Sequence, residues 1–167
     1  MLTISNAISA LRFPLALLFF SHNIYLRFVS IILAMITDGI DGYFARKFKS
    51  ATKFGAYFDP AMDKFFVYFV LFLFLIEKKI NIYFGLMTIS RDFALFLFGI
   101  FLLITKRWST YEVKPVRWGK ITTALQFLTL IGLNFNINFP MYYYLIFVLL
   151  SLLALIEMFF TSKYTNK

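Results

Sequence analysis

Four of the chain's eight acidic residues fall between positions 38 and 63, in a stretch otherwise rich in small and apolar residues. Asp38 and Asp41 stand in Thr37-Asp-Gly-Ile-Asp-Gly-Tyr-Phe-Ala-Arg46, and Asp59 and Asp63 in Gly55-Ala-Tyr-Phe-Asp-Pro-Ala-Met-Asp-Lys64. Spacings of three and four put each pair on one face of a helix, one turn apart. Carboxylates gathered in a low-dielectric place repel one another and are costly without a positive partner. Basic neighbours are one source of that charge, but hard divalent cations fit better. An all-oxygen donor set without His or Cys favours Mg²⁺ or Mn²⁺ over Zn²⁺. Four carboxylates suit a two-metal site, which clamps a phosphoryl centre. Gly39, Gly42, Ala45 and Gly55 leave the backbone bare for close approach of a ligand, and Arg46 with its neighbouring lysines offers donors to phosphate oxygens. Together these residues point to a diphosphate ligand. Two other readings are set beside this one: solubilising loop residues, and the acidic gate of an ion-coupled transporter.

The elements that must carry these residues are membrane helices. Of 167 residues, 61% are hydrophobic, 22% aromatic and only 15% charged, and mean hydropathy is +0.79. A small globule cannot bury that much apolar surface, so the bilayer is the expected solvent. With about 20 apolar residues needed per crossing, six spans are expected at 3–20, 25–45, 56–76, 82–105, 119–135 and 141–160, in one all-α membrane domain over 1–167. The first residues lack a basic region and do not read as a cleaved signal peptide. Cysteine is absent, which excludes a disulfide framework and a thiolate metal site.

The net charge of +9 is scattered between apolar spans, which argues for membrane orientation and anionic lipid contact and against a nucleic-acid surface. Arg46, Lys47, Lys49, Lys53, Lys106, Arg107, Lys114, Arg117, Lys120, Lys163 and Lys167 fall on one side of the expected topology, against Arg27, Lys78 and Lys79 on the other. The positive-inside rule then puts both termini in the cytosol. The aspartates lie at the cytosolic end of spans two and three. Arg91, inside span four, is a functional candidate because an intramembrane arginine is costly. Its plainer reading is a structural pair with an aspartate of the cluster. Asp92 is expected to point away from Arg91, since adjacent helical residues do not share a face. Lys114, Arg117 and Lys120 are candidates for an acceptor phosphate, or ordinary loop cations. Arg12 is expected either in the site pocket or snorkelling at the interface. Trp108, Trp118, Tyr142, Tyr143 and Tyr144 read as interface anchors, His22 as a polar turn residue, and Pro60 as lying near a helix start, where proline is tolerated.

The run Asp38-x2-Asp41-Gly42-x2-Ala45-Arg46-x8-Gly55-x3-Asp59-x3-Asp63 resembles, at all eight positions, the signature of the CDP-alcohol phosphatidyltransferase family. The resemblance implies transfer of a phosphatidyl group from CDP-diacylglycerol to an alcohol, with release of CMP, in a multi-pass protein of a bacterial inner membrane or an organelle membrane. It implies metal ligation by Asp38, Asp41, Asp59 and Asp63, with Asp63 also taking the proton of the attacking hydroxyl. Gly42, Ala45, Arg46, Thr52 and Gly55 would then meet the CDP moiety. Ser5-Asn6-Ala7-Ile8-Ser9-Ala10-Leu11-Arg12, Asp59-Pro60-x-x-Asp63-Lys64, Ile89-Ser90-Arg91-Asp92 and Gly119-Lys120-Ile121-Thr122-Thr123-Ala124-Leu125-Gln126 resemble the branch holding phosphatidylglycerophosphate synthases and eukaryote-type cardiolipin synthases. On that resemblance Asn6 and Arg12 line the pocket, and Arg91, Lys114, Arg117 and Lys120 meet the acceptor's phosphate. Glycerol-3-phosphate is the expected acceptor and phosphatidylglycerol the alternative. Ser5 stands where the branch carries proline, Thr122 where its glycerophosphate-using members carry a second lysine, and Asp92 where they carry glutamate with a further arginine along the span, none occurring here before Arg107; the latter departures resemble the cardiolipin synthase type. A homodimer is expected by resemblance alone.

Overall fold

A computed structural model describes the backbone of residues 9–47, 53–104 and 117–164, with side chains at 9–38, 61–101, 104 and 118–158. All regular elements among the described residues are helical. They are α1 (Arg12–Leu17), which tightens into a 3₁₀ turn over Leu18–Phe20, α2 (Ile24–Lys47), α3 (Lys53–Ile76), α4 (Ile82–Thr88), α5 (Ser90–Ile104), α6 (Arg117–Asn134) and α7 (Met141–Tyr164).

The ends follow local chemistry. Asn23 caps α2, its Oδ1 accepting from the Tyr25 amide at 2.9 Å, and Asn81 caps α4 in the same way through the Tyr83 amide at 3.2 Å. Helix α3 stops where Lys78 turns left-handed at φ 56°; the Lys79 amide then reaches back to the Phe74 carbonyl at 2.9 Å. Helix α6 ends likewise, with Asn136 at φ 57° and the Ile137 amide on the Gly132 carbonyl at 2.9 Å. Both are Schellman caps, with lysine and asparagine in the position glycine usually holds. Because α3 begins at Lys53, Pro60 lies at its eighth position, deeper than the first turn expected for it.

The chain forms two compact units. The first takes residues 1–79 and 127–137. In it α1 packs on α2 and α3, around Ala16, Phe19, Ile31, Ala34, Phe66, Val70 and Phe74. Ser30 anchors the contact by donating to the Leu15 carbonyl at 2.6 Å. The second unit takes residues 80–126 and 138–167. In it α7 packs on α4 and α5, around Phe98, Tyr144, Phe147, Leu150 and Ala154. Tyr144 is therefore core and not an interface anchor: its ring lies flat on Phe84, centroids 4.5 Å apart.

The outer faces are apolar. On α2, Leu26, Val29, Leu33 and Ile36 recur at helical spacing and are all exposed, as are Leu145, Leu149, Leu152 and Ile156 on α7. A water-facing helix places polar residues on that side; an exposed apolar stripe on helix after helix fits lipid as the solvent. Among the described residues, Met141–Met158 is long and apolar enough to cross a bilayer as a straight helix. The expected fourth span is broken: Ile82–Thr88 and Ser90–Phe101 pass the same criterion only as a pair bent by 57°.

The break has a local cause. Thr88 turns its hydroxyl back onto the Phe84 carbonyl at 2.9 Å, a bond that commonly bends helices. The Asp92 amide, which in a continuous helix would reach the Thr88 carbonyl, bonds instead to that of Ile89 at 3.0 Å. The released Thr88 carbonyl accepts from Gln126 Nε2 at 3.0 Å. Arg91 consequently stands in the first turn of α5, not in mid-span.

Candidate active site

Asp38 and Asp41 lie on α2, and Asp59 and Asp63 on α3, two helices that pack together in the first unit. Asp63 is buried. Asp38 remains 43% exposed and meets Arg12 Nη2 through Oδ1 at 3.4 Å. Arg12 itself is only 1% exposed, so the snorkelling alternative is wrong for this residue: its guanidinium is folded inward onto a motif carboxylate. A cation held at that distance is a weak, readily exchanged partner for Asp38.

The backbone of Asp41, Gly42, Ala45 and Arg46 on α2, of Gly55 and Asp59 on α3, and of Arg117 at the start of α6 is helical; their side chains lie outside the described residues. Asn6, Thr52 and Lys114 lie outside them altogether, as does Trp108. Among the described residues no three acidic or imidazole side chains stand together as a metal-holding group. The donor set nevertheless fits a hard divalent cation. It is carboxylate oxygen throughout, carried on two adjacent helices, with Asp63 desolvated and Asp38 open to exchange.

The second unit builds a different site around Arg91. Its Nη1 donates to Thr123 Oγ1 at 3.2 Å and lies 3.6 Å from Asp92 Oδ1. The expectation that Asp92 points away fails: both residues sit in the first turn after the break, and Asp92 Oδ1 lies within ion-pair distance of the arginine. Nη2 occupies the space over Gly119: a Cβ built there would stand 2.7 Å from it. Arg91 Nε is buried without a hydrogen-bond partner. Thr123 completes the arrangement by donating to the Gly119 carbonyl at 3.2 Å. Thr122, the departure from the branch pattern, is buried and bonds to the Trp118 carbonyl at 2.9 Å, a place hostile to a lysine charge. Lys120 is exposed.

Gly119, Thr123 and Gln126 received no role from the sequence. A signal was present: 119, 122, 123 and 126 form a stripe of small and polar residues at helical spacing on an otherwise apolar helix. Arg27 and Glu77 were also passed over as loop charges. They form a bidentate pair at 2.6 and 2.8 Å, and Arg27 further donates to the carbonyls of Ser21 and Phe19, each at 2.7 Å. Arg27 holds the Glu77 carboxyl below its usual value, and burial only partly opposes it. His22, with 90% of its side chain exposed, lies 4.0 Å from Glu77, as a polar turn residue should.

Comparison with known proteins agrees with the aspartate spacing. The chain is 32% identical over 133 residues to a protein of Aquifex aeolicus named CDP-diacylglycerol--glycerol-3-phosphate 3-phosphatidyltransferase, covering 75% of this chain and 72% of that one. Proteins of the same name from Haemophilus influenzae and Bacillus subtilis are 32% and 34% identical over 114 and 110 residues. Those matches cover 64% and 65% of this chain but only 57% and 54% of the relatives, so the chain spans little more than half their length. A family model described as CDP-alcohol phosphatidyltransferase matches residues 1–161. That match takes in the carboxylate helices and the Arg91 helix alike, and the chain belongs to the CDP-alcohol phosphatidyltransferase family.

Proposed function

We propose that this protein transfers a phosphatidyl group from CDP-diacylglycerol to glycerol-3-phosphate, forming phosphatidylglycerophosphate and releasing CMP. The observation that carries the proposal is the family match over residues 1–161 together with the name shared by the relatives above. That shared name favours glycerol-3-phosphate over phosphatidylglycerol, and nothing in the chain favours an ion-coupled transporter.

In this reading Asp38, Asp41, Asp59 and Asp63 hold two divalent cations, Mg²⁺ or Mn²⁺. When bound, the cations neutralise the diphosphate and the charge that develops on the departing CMP. Asp63 accepts the proton of the acceptor hydroxyl. The hydroxyl oxygen forms a bond to the β-phosphorus, the bond from that phosphorus to the bridging oxygen breaks, and CMP leaves with the electron pair. Gly42, Ala45 and Gly55 allow the CDP moiety close to the backbone, and Arg46 and Thr52 supply donors. Asn6 and Arg12 line the pocket, Arg12 holding Asp38 until substrate arrives. Arg91, with Lys114, Arg117 and Lys120, receives the acceptor's phosphate. The guanidinium fork suits phosphate geometry, and the buried Arg91 Nε, which has no hydrogen-bond partner, supports that assignment. One membrane domain of six spans, with this chemistry at the cytosolic ends of α2 and α3 and two copies associating through their helices, completes the proposal.

The test is CMP release from CDP-diacylglycerol by purified protein with Mg²⁺ or Mn²⁺ and glycerol-3-phosphate or phosphatidylglycerol as sole acceptor. Release with glycerol-3-phosphate, abolished by chelation, is expected. Asp63→Asn should lower kcat by about 10³-fold while membrane insertion persists. A near-normal rate for that variant would sink the role given to Asp63.

A further inference from the structure

Gln126 is fully buried on α6, and its side-chain nitrogen has two hydrogens to place. Nε2 lies 3.0 Å from the Thr88 carbonyl that the helix break releases and 3.0 Å from Asp92 Oδ2. The other oxygen of Asp92, Oδ1, faces Arg91 Nη1 at 3.6 Å. That same Nη1 is held on its other side by Thr123. Asp92 is buried, and a buried carboxylate draws whatever donors it can reach. Gln126 satisfies one of its oxygens with a neutral donor, so less of the carboxylate's attraction falls on Arg91.

We infer that Gln126 is a positioning residue: it stakes the helix break and restrains Asp92 from capturing the Arg91 guanidinium, which keeps that guanidinium available to an acceptor's phosphate. The inference rests on the reading that Arg91 meets the acceptor. Without the Gln126 amide, Asp92 turns both oxygens to Arg91 and competes with the incoming phosphate. The loss then appears in acceptor affinity and is relieved by removing the competing charge.

The experiment uses purified full-length protein with Mg²⁺, measuring CMP release while glycerol-3-phosphate and CDP-diacylglycerol are varied separately. Gln126→Met, which keeps the volume and loses both hydrogen bonds, should raise KM for glycerol-3-phosphate by about tenfold and change KM for CDP-diacylglycerol by less than about twofold. Adding Asp92→Asn to that variant should return the acceptor KM to within about threefold of the starting protein. An unchanged acceptor KM, an equal rise in both KM values, or no recovery in the double variant would each overturn the inference. Should Gln126→Met fail to insert, Asp92→Asn alone decides: a fall in acceptor KM supports it, and no change or a rise overturns it. If the unaltered protein uses phosphatidylglycerol and not glycerol-3-phosphate, the proposed acceptor is wrong, and the same pair of KM values read with phosphatidylglycerol tests Gln126.

Discussion

Arg27 and Arg91 are both largely withdrawn from solvent, yet the chain treats them in opposite ways. Arg27 has 4% of its side chain exposed and spends its donors on a bidentate carboxylate and two backbone carbonyls, all at 2.6–2.8 Å. Its ring neighbour Phe19 lies 5.6 Å beneath the guanidinium. Four of its five N–H donors are spent in this way. Arg91 has one hydrogen bond at 3.2 Å, a carboxylate at 3.6 Å and a buried Nε with no partner. The missing side chain of Gly119 leaves room for its Nη2, which a Cβ there would meet at 2.7 Å. A saturated arginine stitches helices together, whereas a loosely held one retains binding capacity that folding has not consumed. Burial is similar for the two arginines, and the use of their donors is what tells them apart.

The contrast is broken most severely at Arg27. Arg27→Ala removes both short bonds to the Glu77 carboxylate, leaving it Lys79 at 3.8 Å, and frees two carbonyls, and should cost roughly 2–3 kcal/mol of stability. Acceptor KM should hardly move in whatever protein survives. Thermal unfolding in detergent measures this, and Arg27→Met with Glu77→Leu should recover much of the loss because no buried charge is left alone. Arg91→Ala is the converse. It should raise KM for glycerol-3-phosphate by about 100-fold and shift the melting temperature by only a few degrees. A large stability loss with unchanged KM would show that Arg91 is another Arg27.

Gly119→Ala sharpens the comparison. The added Cβ meets the far end of a flexible side chain, Arg91 Nη2 at 2.7 Å, and not backbone. The arginine should yield, raising acceptor KM by about tenfold with little change in unfolding. Acid offers a milder perturbation of the Arg27 region. Hydrogen bonding from Arg27, set against partial desolvation, lowers the Glu77 pKa from 4.5. The pair's contribution is therefore complete above that value and is lost as pH falls through the lowered one. Melting temperature should drop below about pH 4.5 by more in the unaltered protein than in Glu77→Gln; equal drops would mean that other carboxylates account for it. The smallest effect is expected at the neighbouring cap. Lys78→Gly removes a left-handed non-glycine residue and should stabilise by a few tenths to about 1 kcal/mol, read from the same unfolding curve.

Much of the architecture was legible because apolar helices are written in local composition. Expected spans 25–45, 56–76, 119–135 and 141–160 fall within a few residues of α2, α3, α6 and α7. Asn23 and Asn81 mark helix starts through short-range hydrogen bonds. The carboxylate motif was legible through its spacing, since one turn of helix converts three or four positions into proximity. The break in the fourth span was not. Ile89 carries neither proline nor glycine, and the bend is stabilised by Gln126, 38 positions away from Thr88. Tyr144 misled for a related reason: its place near a span end fits an interface residue, and its packing against Phe84, 60 positions away, buries it. Arg12 was left between two readings until its pairing with Asp38, 26 positions on, decided the matter.

By itself the sequence determined the apolar helices, the family and the spacing of the aspartate cluster. Each of these depends on residue type and on separations of four positions or fewer, or on a motif read as a string. Tertiary structure alone decided which arginine is spent and which is available, and which tyrosine is core. Those outcomes depend on whether a distant helix brings a carboxylate, a carbonyl or the bare backbone of a glycine to within about 3 Å, the range over which hydrogen bonds and steric contact act.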